Sequence, residues 1–256
     1  MIADAYDAFL LDLDGVLCRG DSPIAEASET VRALRSLGKR IAFVTNNSSR
    51  TSDAVVAHLA SVGVDAEPDE VETSALTTAA MLRDRSVRTA AVIGEEGLRS
   101  ALAAADIQVV AADAGPEAFV VGWDRHVTYD ELREASLAVQ RGATLFASND
   151  DVSYPAPGGY TWPGAGAILA ALEAATGVKA EVFGKPNPPI LRAALTRAGG
   201  GRPLVVGDRL ETDIDGAANA GWDSALVLTG ISTRAAAAAA SHAPTYVLED
   251  LSGLVA

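Results

Sequence analysis

Asp12, Asp14, Thr45, Asn46 and Asp208 occupy matching places, each just beyond a short run of apolar residues. Phe9 to Leu11 leads into Asp12-Leu13-Asp14-Gly15, Ile41 to Val44 into Thr45-Asn46-Asn47, and Leu204 to Val206 into Gly207-Asp208-Arg209. If Asp12 and Asp14 lie on an extended segment, their carboxylates leave the same side and sit near one another. Like charges in a dry crevice repel unless a proton is shared or a cation lies between them. With Asp208 as a third acid, a cation is the simpler solution. Hard oxygen ligands with no histidine or cysteine beside them in the sequence point to Mg²⁺, and an Mg²⁺ site that keeps several waters usually also holds a substrate phosphate. The hydroxyl of Thr45, the amide of Asn46 and the cation of Lys185 suit the non-bridging oxygens of a phosphoryl group. The competing reading makes Asp12 and Asp14 turn residues ahead of Gly15, since Asp-Gly is a common turn pair.

The elements that must carry these groups are legible from the same runs. Four or so large apolar residues between helical stretches read as a strand buried on both faces of a parallel sheet. Ligands of such sheets sit beyond the carboxyl ends of the strands, where all three runs place their polar groups. From Asp4 to about Arg85 strands and helices alternate, with helices expected over Ile24 to Leu37 and Ser52 to Gly63. The pattern restarts at Arg88, with strands expected at Ala90 to Gly94, Ala118 to Trp123 and Ala143 to Ser148. After Lys179 come a short strand ending at Phe183 and Gly184-Lys185-Pro186. A helix opens near Pro188-Pro189, where proline's missing N–H would have had no partner. The final strands are expected at Ser224 to Thr229 and Thr245 to Leu248, with an alanine helix over Ala235 to Ala240. The fold class is therefore α/β, with residues 88–179 inserted as a second domain into a first made of residues 1–87 and 180–256.

Composition excludes several functions. A chain of 256 residues, 49% apolar, can bury a full core. Its formal net charge of −14 opposes binding to nucleic acid or to anionic membranes. No apolar run is long enough to span a bilayer. Met1 to Asp7 lacks the basic start and cleavage site of a signal peptide, so the cytosol is the expected compartment. The single cysteine, Cys18, rules out an internal disulfide and a multi-cysteine metal site.

Asp12-Leu-Asp14-Gly15-Val16-Leu17, Thr45-Asn46-Asn47-Ser48-Ser49-Arg50, Gly184-Lys185-Pro186 and Gly207-Asp208-Arg209-Leu210-Glu211-Thr212-Asp213-Ile214 resemble the four ordered motifs of the haloacid dehalogenase superfamily phosphatases. The resemblance is closest to the group that includes the NagD-like, 4-nitrophenyl, pyridoxal-phosphate and glycerol-phosphate phosphatases, and it covers nearly the whole chain. It implies a Rossmann-like parallel-sheet core with an α/β cap of the C2 type between the second and third motifs, where the insertion falls. It further implies that Asp12 is the nucleophile and Asp14 the general acid and then base. Mg²⁺ would be held by the Asp12 carboxylate, the Asp14 main-chain carbonyl and Asp208. Asp213 would orient the metal's waters or Lys185, while Gly15, Thr45, Asn46 and Lys185 would hold the phosphoryl oxygens.

Within the insertion, Ser148-Asn149-Asp150-Asp151, Pro155 to Pro163 and Gly164-Ala165-Gly166 form its most polar, loop-like part, similar to the cap loop of the related phosphatases. Asn149 and Asp151 are therefore expected near the substrate, against plain turn and capping roles. Gly164-x-Gly166 lacks the third glycine and preceding strand of a dinucleotide fingerprint. Trp123, Tyr160 and Trp162 are expected to pack within the cap, and His58, His126, His242 and Cys18 to play ordinary structural roles. The resemblance implies a small phosphate ester as partner, with glycerol 3-phosphate favoured over phosphoglycolate, pyridoxal phosphate, nucleoside monophosphates and 4-nitrophenyl phosphate. The protein would be a monomer or a homodimer. Phosphotransfer to another alcohol, or a non-catalytic protein on the same fold, are the alternatives.

Overall fold

The computed structural model describes residues 1–155 and 160–256; residues 156–159, part of the proline-rich loop singled out above, lie outside the described residues. The chain forms two compact units, Met1–Thr45 with Ser52–Glu72 and Lys185–Ala256, and Asn46–Thr51 with Thr73–Gly184.

The first unit is built on a six-stranded sheet of β1 (Ala8–Leu11), β4 (Arg40–Thr45), β5 (Val71–Thr73), β13 (Pro203–Gly207), β14 (Asp223–Val227) and β15 (Tyr246–Leu248), in the order β15-β14-β13-β1-β4-β5. β1 runs parallel to both its neighbours, with Leu10 opposite Ala42 and Val205. Alternation along the strands decides which face each side chain serves. Phe9, Leu11, Phe43, Leu204 and Val206 pack with α1 (Ala27–Ser36) and α2 (Ser52–Ser61) through Val31, Leu34, Val55 and Leu59. Leu10, Ala42, Val44 and Val205 point the other way, onto Ile190, Leu191 and Ala194 of α7 (Pro188–Arg197) and Ala217 of α8 (Asp215–Ala220). Burying each of these leucines fully is worth roughly 1.5–3 kcal/mol. A short hairpin of β2 (Cys18–Arg19) and β3 (Ser22–Pro23) follows β1, and α9 (Arg234–Ala239) precedes β15.

The second unit has its own parallel sheet, ordered β12-β9-β8-β6-β7, from β6 (Thr89–Ile93), β7 (Gln108–Val109), β8 (Ala118–Val121), β9 (Thr144–Ala147) and β12 (Glu181–Val182). On one face Val120 and Phe146 meet α3 (Ser74–Asp84) and α4 (Glu96–Ala104). On the other, Phe119, Val121 and Leu145 meet α5 (Tyr129–Gln140) and α6 (Ala165–Thr176). An antiparallel pair, β10 (Ser153–Pro155) and β11 (Thr161–Pro163), sets Tyr154 opposite Trp162. The ring of Tyr154 stacks on Trp123 at 4.1 Å between centroids.

The second unit is larger than the insertion expected at residues 88–179. Ala75, Ala79 and Leu82 of α3 pack with Leu98, Leu102 and Phe183, so that helix shares a core with α4 rather than with the first sheet. Segment 46–51 joins it too: Gly97 N–H donates to the Ser49 carbonyl at 3.0 Å and Trp123 N–H to Ser48 Oγ at 3.2 Å.

Candidate active site

Four chain segments of the first unit converge on Asp12. β1 stops at Leu11, so Asp12 stands just beyond the strand's carboxyl end, and its N–H still donates to the Val206 carbonyl of β13 at 2.9 Å. Lys185 lies at the opening of the turn into α7. Its Nζ is 2.5 Å from Asp12 Oδ1 and 2.6 Å from Asp213 Oδ1, and the residue is only 3% exposed. β13 delivers Asp208, after which the backbone makes one π-helical turn, Leu210–Ile214, before α8 begins. Such wide turns are frequent at functional sites. This one folds Asp213 back, so that its Oδ2 accepts from Arg209 N–H at 3.1 Å while its other oxygen meets Lys185. Asp12, Asp208 and Asp213 each offer a carboxylate oxygen within 4.8 Å of the others.

A loop after β14 completes the enclosure of Asp208. Ile231 N–H donates to Asp208 Oδ2 at 2.7 Å, and Ser232 N–H to the Asp208 carbonyl at 3.0 Å. Thr229 Oγ1 donates to the Gly15 carbonyl at 2.5 Å, and Arg19 donates twice to the Thr229 carbonyl. Gly15 has φ +83°, and a Cβ there would overlap the Asp208 side chain. Only glycine meets both demands.

The electrostatics of the cluster are those of too many acids in too little water. Burial pushes the Asp12 carboxyl well above the usual range; Lys185 draws it back, and Asp213 and Asp208 push it up again. Asp208 is raised to about 6 by burial and then by Asp213, against the Ile231 N–H. Burial alone would lower the Lys185 ammonium, but Asp12 and Asp213 outweigh it and hold the group above the ordinary lysine range. Three carboxylates against one ammonium leave two negative charges. A divalent cation with a preference for oxygen is the complement of that set.

Comparison with known proteins decides what this arrangement belongs to. A family model described as haloacid dehalogenase-like hydrolase matches residues 9–108, and one described as HAD-hydrolase-like matches residues 182–254. The chain is 39% identical to a D-glycerol 3-phosphate phosphatase of Mycobacterium tuberculosis, over 99% of this chain and 72% of that protein. It is 38% identical to an acid sugar phosphatase of Staphylococcus aureus, over 98% and 97% of the two. The crystal structure of a glycerol phosphate phosphatase from Mycobacterium tuberculosis in complex with magnesium superposes with a TM-score of 0.93 at 38% identity, covering 99% of this chain and 77% of that one. This chain is a haloacid dehalogenase-like hydrolase.

As a phosphatase of that family it uses Mg²⁺, and its own donor set fits the ion: clustered hard carboxylates carrying an excess of two negative charges. The acids that gather are Asp12, Asp208 and Asp213; Asp14 is not among them. Because β1 ends at Leu11, the two-residue period of a strand does not hold through Asp14, which instead forms a single bridge with Cys18 and accepts from Gly20 N–H at 3.4 Å. Thr45 closes β4 and is buried, as is the adjoining Asn46. Asn149 is 3% exposed, with its Nδ2 on the Asn46 carbonyl, and Asp151 is half-buried, with its N–H on Asn149 Oδ1. Reading the sequence missed the Thr229–Ser232 loop. The signal was present: β14 is a fourth apolar run that ends in a hydroxyl and a glycine, Thr229-Gly230. Cys18 is buried in the β2–β3 hairpin that follows Asp14, with its Sγ 3.6 Å from His58 Nε2.

Proposed function

We propose that the protein hydrolyses small phosphate monoesters by way of an aspartyl phosphate on Asp12, with glycerol 3-phosphate or a comparable small polyol or sugar phosphate as substrate. The observation that carries the reading is Lys185 held between Asp12 and Asp213 beside Asp208. Lys185 fixes one oxygen of the Asp12 carboxylate, and the other attacks phosphorus as the ester P–O bond breaks. Asp14 gives its proton to the departing alcohol, then takes one from the water that opens the acyl phosphate, releasing inorganic phosphate and restoring Asp12. Asp12, Asp208 and the Asp14 carbonyl would hold Mg²⁺, which would supply charge neutralisation for the phosphoryl group. Asp213 keeps Lys185 charged and in place. Thr45 and Asn46 hold the non-bridging oxygens, while the Gly15 N–H, expected there from the resemblance, donates to the Cys18 carbonyl at 2.7 Å and shapes the turn instead.

The names of the relatives support the substrate class, since both curated relatives act on small phosphorylated alcohols or sugars. The inserted unit serves as the substrate-selecting cap, with Asp151 on its polar loop. We place it in the cytosol as a monomer or homodimer, and its charge of −14 supports an enzyme that works without nucleic acid or an anionic membrane. No helix among the described residues is long and apolar enough to cross a membrane. The test is phosphate release from a panel of small esters with Mg²⁺ and with chelator, comparing wild type with Asp12→Asn. Release that needs both Mg²⁺ and Asp12, fastest on glycerol or sugar phosphates, is the expected result. Undiminished release by Asp12→Asn would refute the mechanism.

A further inference from the structure

Asn46 stands one peptide bond beyond β4, in the segment that belongs to the second unit. Its carbonyl oxygen accepts from Ser74 Oγ at 2.6 Å and from Asn149 Nδ2 at 2.7 Å. Ser74 is fully buried at the start of α3, and Asn149 is buried just beyond β9. Both lone pairs of one carbonyl are thus taken by side chains from two different elements, which fixes the peptide in direction as well as in place. The amide of Asn149 is itself oriented, because its Oδ1 accepts from Asp151 N–H at 3.3 Å and leaves the nitrogen for Asn46. On a third side, a Cβ at Gly184 would come within 2.7 Å of Asn46 Oδ1 and 3.0 Å of Asn149 Cβ. Glycine at 184 therefore leaves room for the Asn46 carboxamide immediately before Lys185.

We propose that Ser74 and Asn149 are positioning residues for the phosphate-binding segment Thr45-Asn46: together they clamp the Asn46 carbonyl and so aim its amide side chain. The proposal rests on the reading of Asn46 as a ligand of the phosphoryl group. It gives Asn149 a buried task in place of the substrate contact that the sequence suggested. Asn149→Asp keeps the turn to Asp151 but sets an acceptor against the Asn46 carbonyl, and Ser74→Ala deletes the other donor. Ser74→Ala loses about one net hydrogen bond, which corresponds to roughly tenfold, and Asn149→Asp loses one and adds a repulsion, so at least as much.

The probe is inorganic phosphate, titrated calorimetrically into the Mg²⁺-loaded full chain and assayed as a competitive inhibitor of 4-nitrophenyl phosphate hydrolysis. Ser74→Ala is expected to bind phosphate about tenfold more weakly, Asn149→Asp at least as weakly, and Ser74→Thr, which keeps the hydroxyl, to recover most of the loss. Ser136→Ala deletes a comparable helix hydroxyl bond, to the Leu132 carbonyl in α5, and is expected to leave phosphate affinity unchanged. The proposal is overturned if both clamp variants, melting like wild type, bind phosphate within twofold of it, or if Ser136→Ala weakens phosphate equally. Should Asn149→Asp fail to fold, Ser74→Ala and its threonine counterpart decide the matter alone. Asp12→Asn separates the two readings: if it keeps turnover, the mechanism above fails, whereas the phosphate affinities still judge the clamp.

Discussion

Lys185→Met keeps the aliphatic stem of the residue and removes an ammonium that sits 2.5 Å from Asp12 and 2.6 Å from Asp213 in the protein interior. Breaking a buried ion pair by removing one partner typically costs about 3–5 kcal/mol. Here chemistry sets a ceiling, because an orphaned carboxylate can always take up a proton. Protonating an ordinary aspartate of pKa about 3.9 costs roughly 4 kcal/mol at pH 7 and about 1.5 kcal/mol at pH 5, at 1.36 kcal/mol per unit. The loss of stability in metal-free protein should therefore be near 4 kcal/mol at pH 7 and shrink steadily as the pH falls. Asn at 213 removes one of the two stranded charges, so Lys185→Met with Asp213→Asn should be more stable than Lys185→Met alone at pH 7, by about 2 kcal/mol or more. Urea denaturation in EDTA between pH 5 and 8 measures all three variants. A cost below about 1 kcal/mol at pH 7, a cost that does not change with pH, or a double variant no better than the single one would refute the reasoning.

Two further outcomes follow from Asp208 and Gly15. The Asp208 carboxyl, raised to about 6, holds a proton in the folded metal-free protein that the unfolded chain has already released, so its contribution to stability is greatest below about pH 4 and is lost as the pH rises through 6. Asp208→Asn should flatten that part of the pH profile in EDTA. It should also abolish the stabilisation by Mg²⁺, which in wild type reaches about 2.7 kcal/mol at a hundredfold excess over Kd; thermal melts with and without the ion check both. Gly15→Ala combines an unfavourable left-handed φ with overlap against Asp208, and should cost about 1–3 kcal/mol and weaken Mg²⁺ binding; a variant that melts and binds Mg²⁺ like wild type would show the turn to be tolerant.

How much of this was legible in the sequence depended on whether the signal was local. The strand runs Phe9 to Leu11, Ile41 to Val44 and Leu204 to Val206 were plain, because strands buried on both faces are apolar without interruption, and each stops within a residue of its first polar group. The helix at Pro188-Pro189 was announced by its own first turn. Asp12, Lys185 and Asp208 follow from strand ends and from the resemblance. Strand period was no guide to Asp14, since β1 ends at Leu11 and the chain bends at Leu13 before reaching it. The affiliation of α3 was not legible, because an apolar face shows that a helix packs but not on which sheet. Nor was the carbonyl clamp on Asn46: Ser74 and Asn149 stand 28 and 103 residues away in the chain, and a buried serine looks like any other until its partner is known.

β1 lies in the middle of its sheet, with β4 on one side and β13 on the other. On the ribosome these neighbours appear at very different times. β4 emerges soon after β1, but Lys185 and β13 follow much later, 173 residues separating Asp12 from the lysine that binds it. Until then β1 offers an open, wholly apolar edge of the kind that pairs with other chains. The second unit's Thr73–Gly184 stretch is by then fully synthesised. The nascent protein can thus own a finished insert while its nucleophile still has no lysine beside it, and the reactive centre waits on the segment made after the insert.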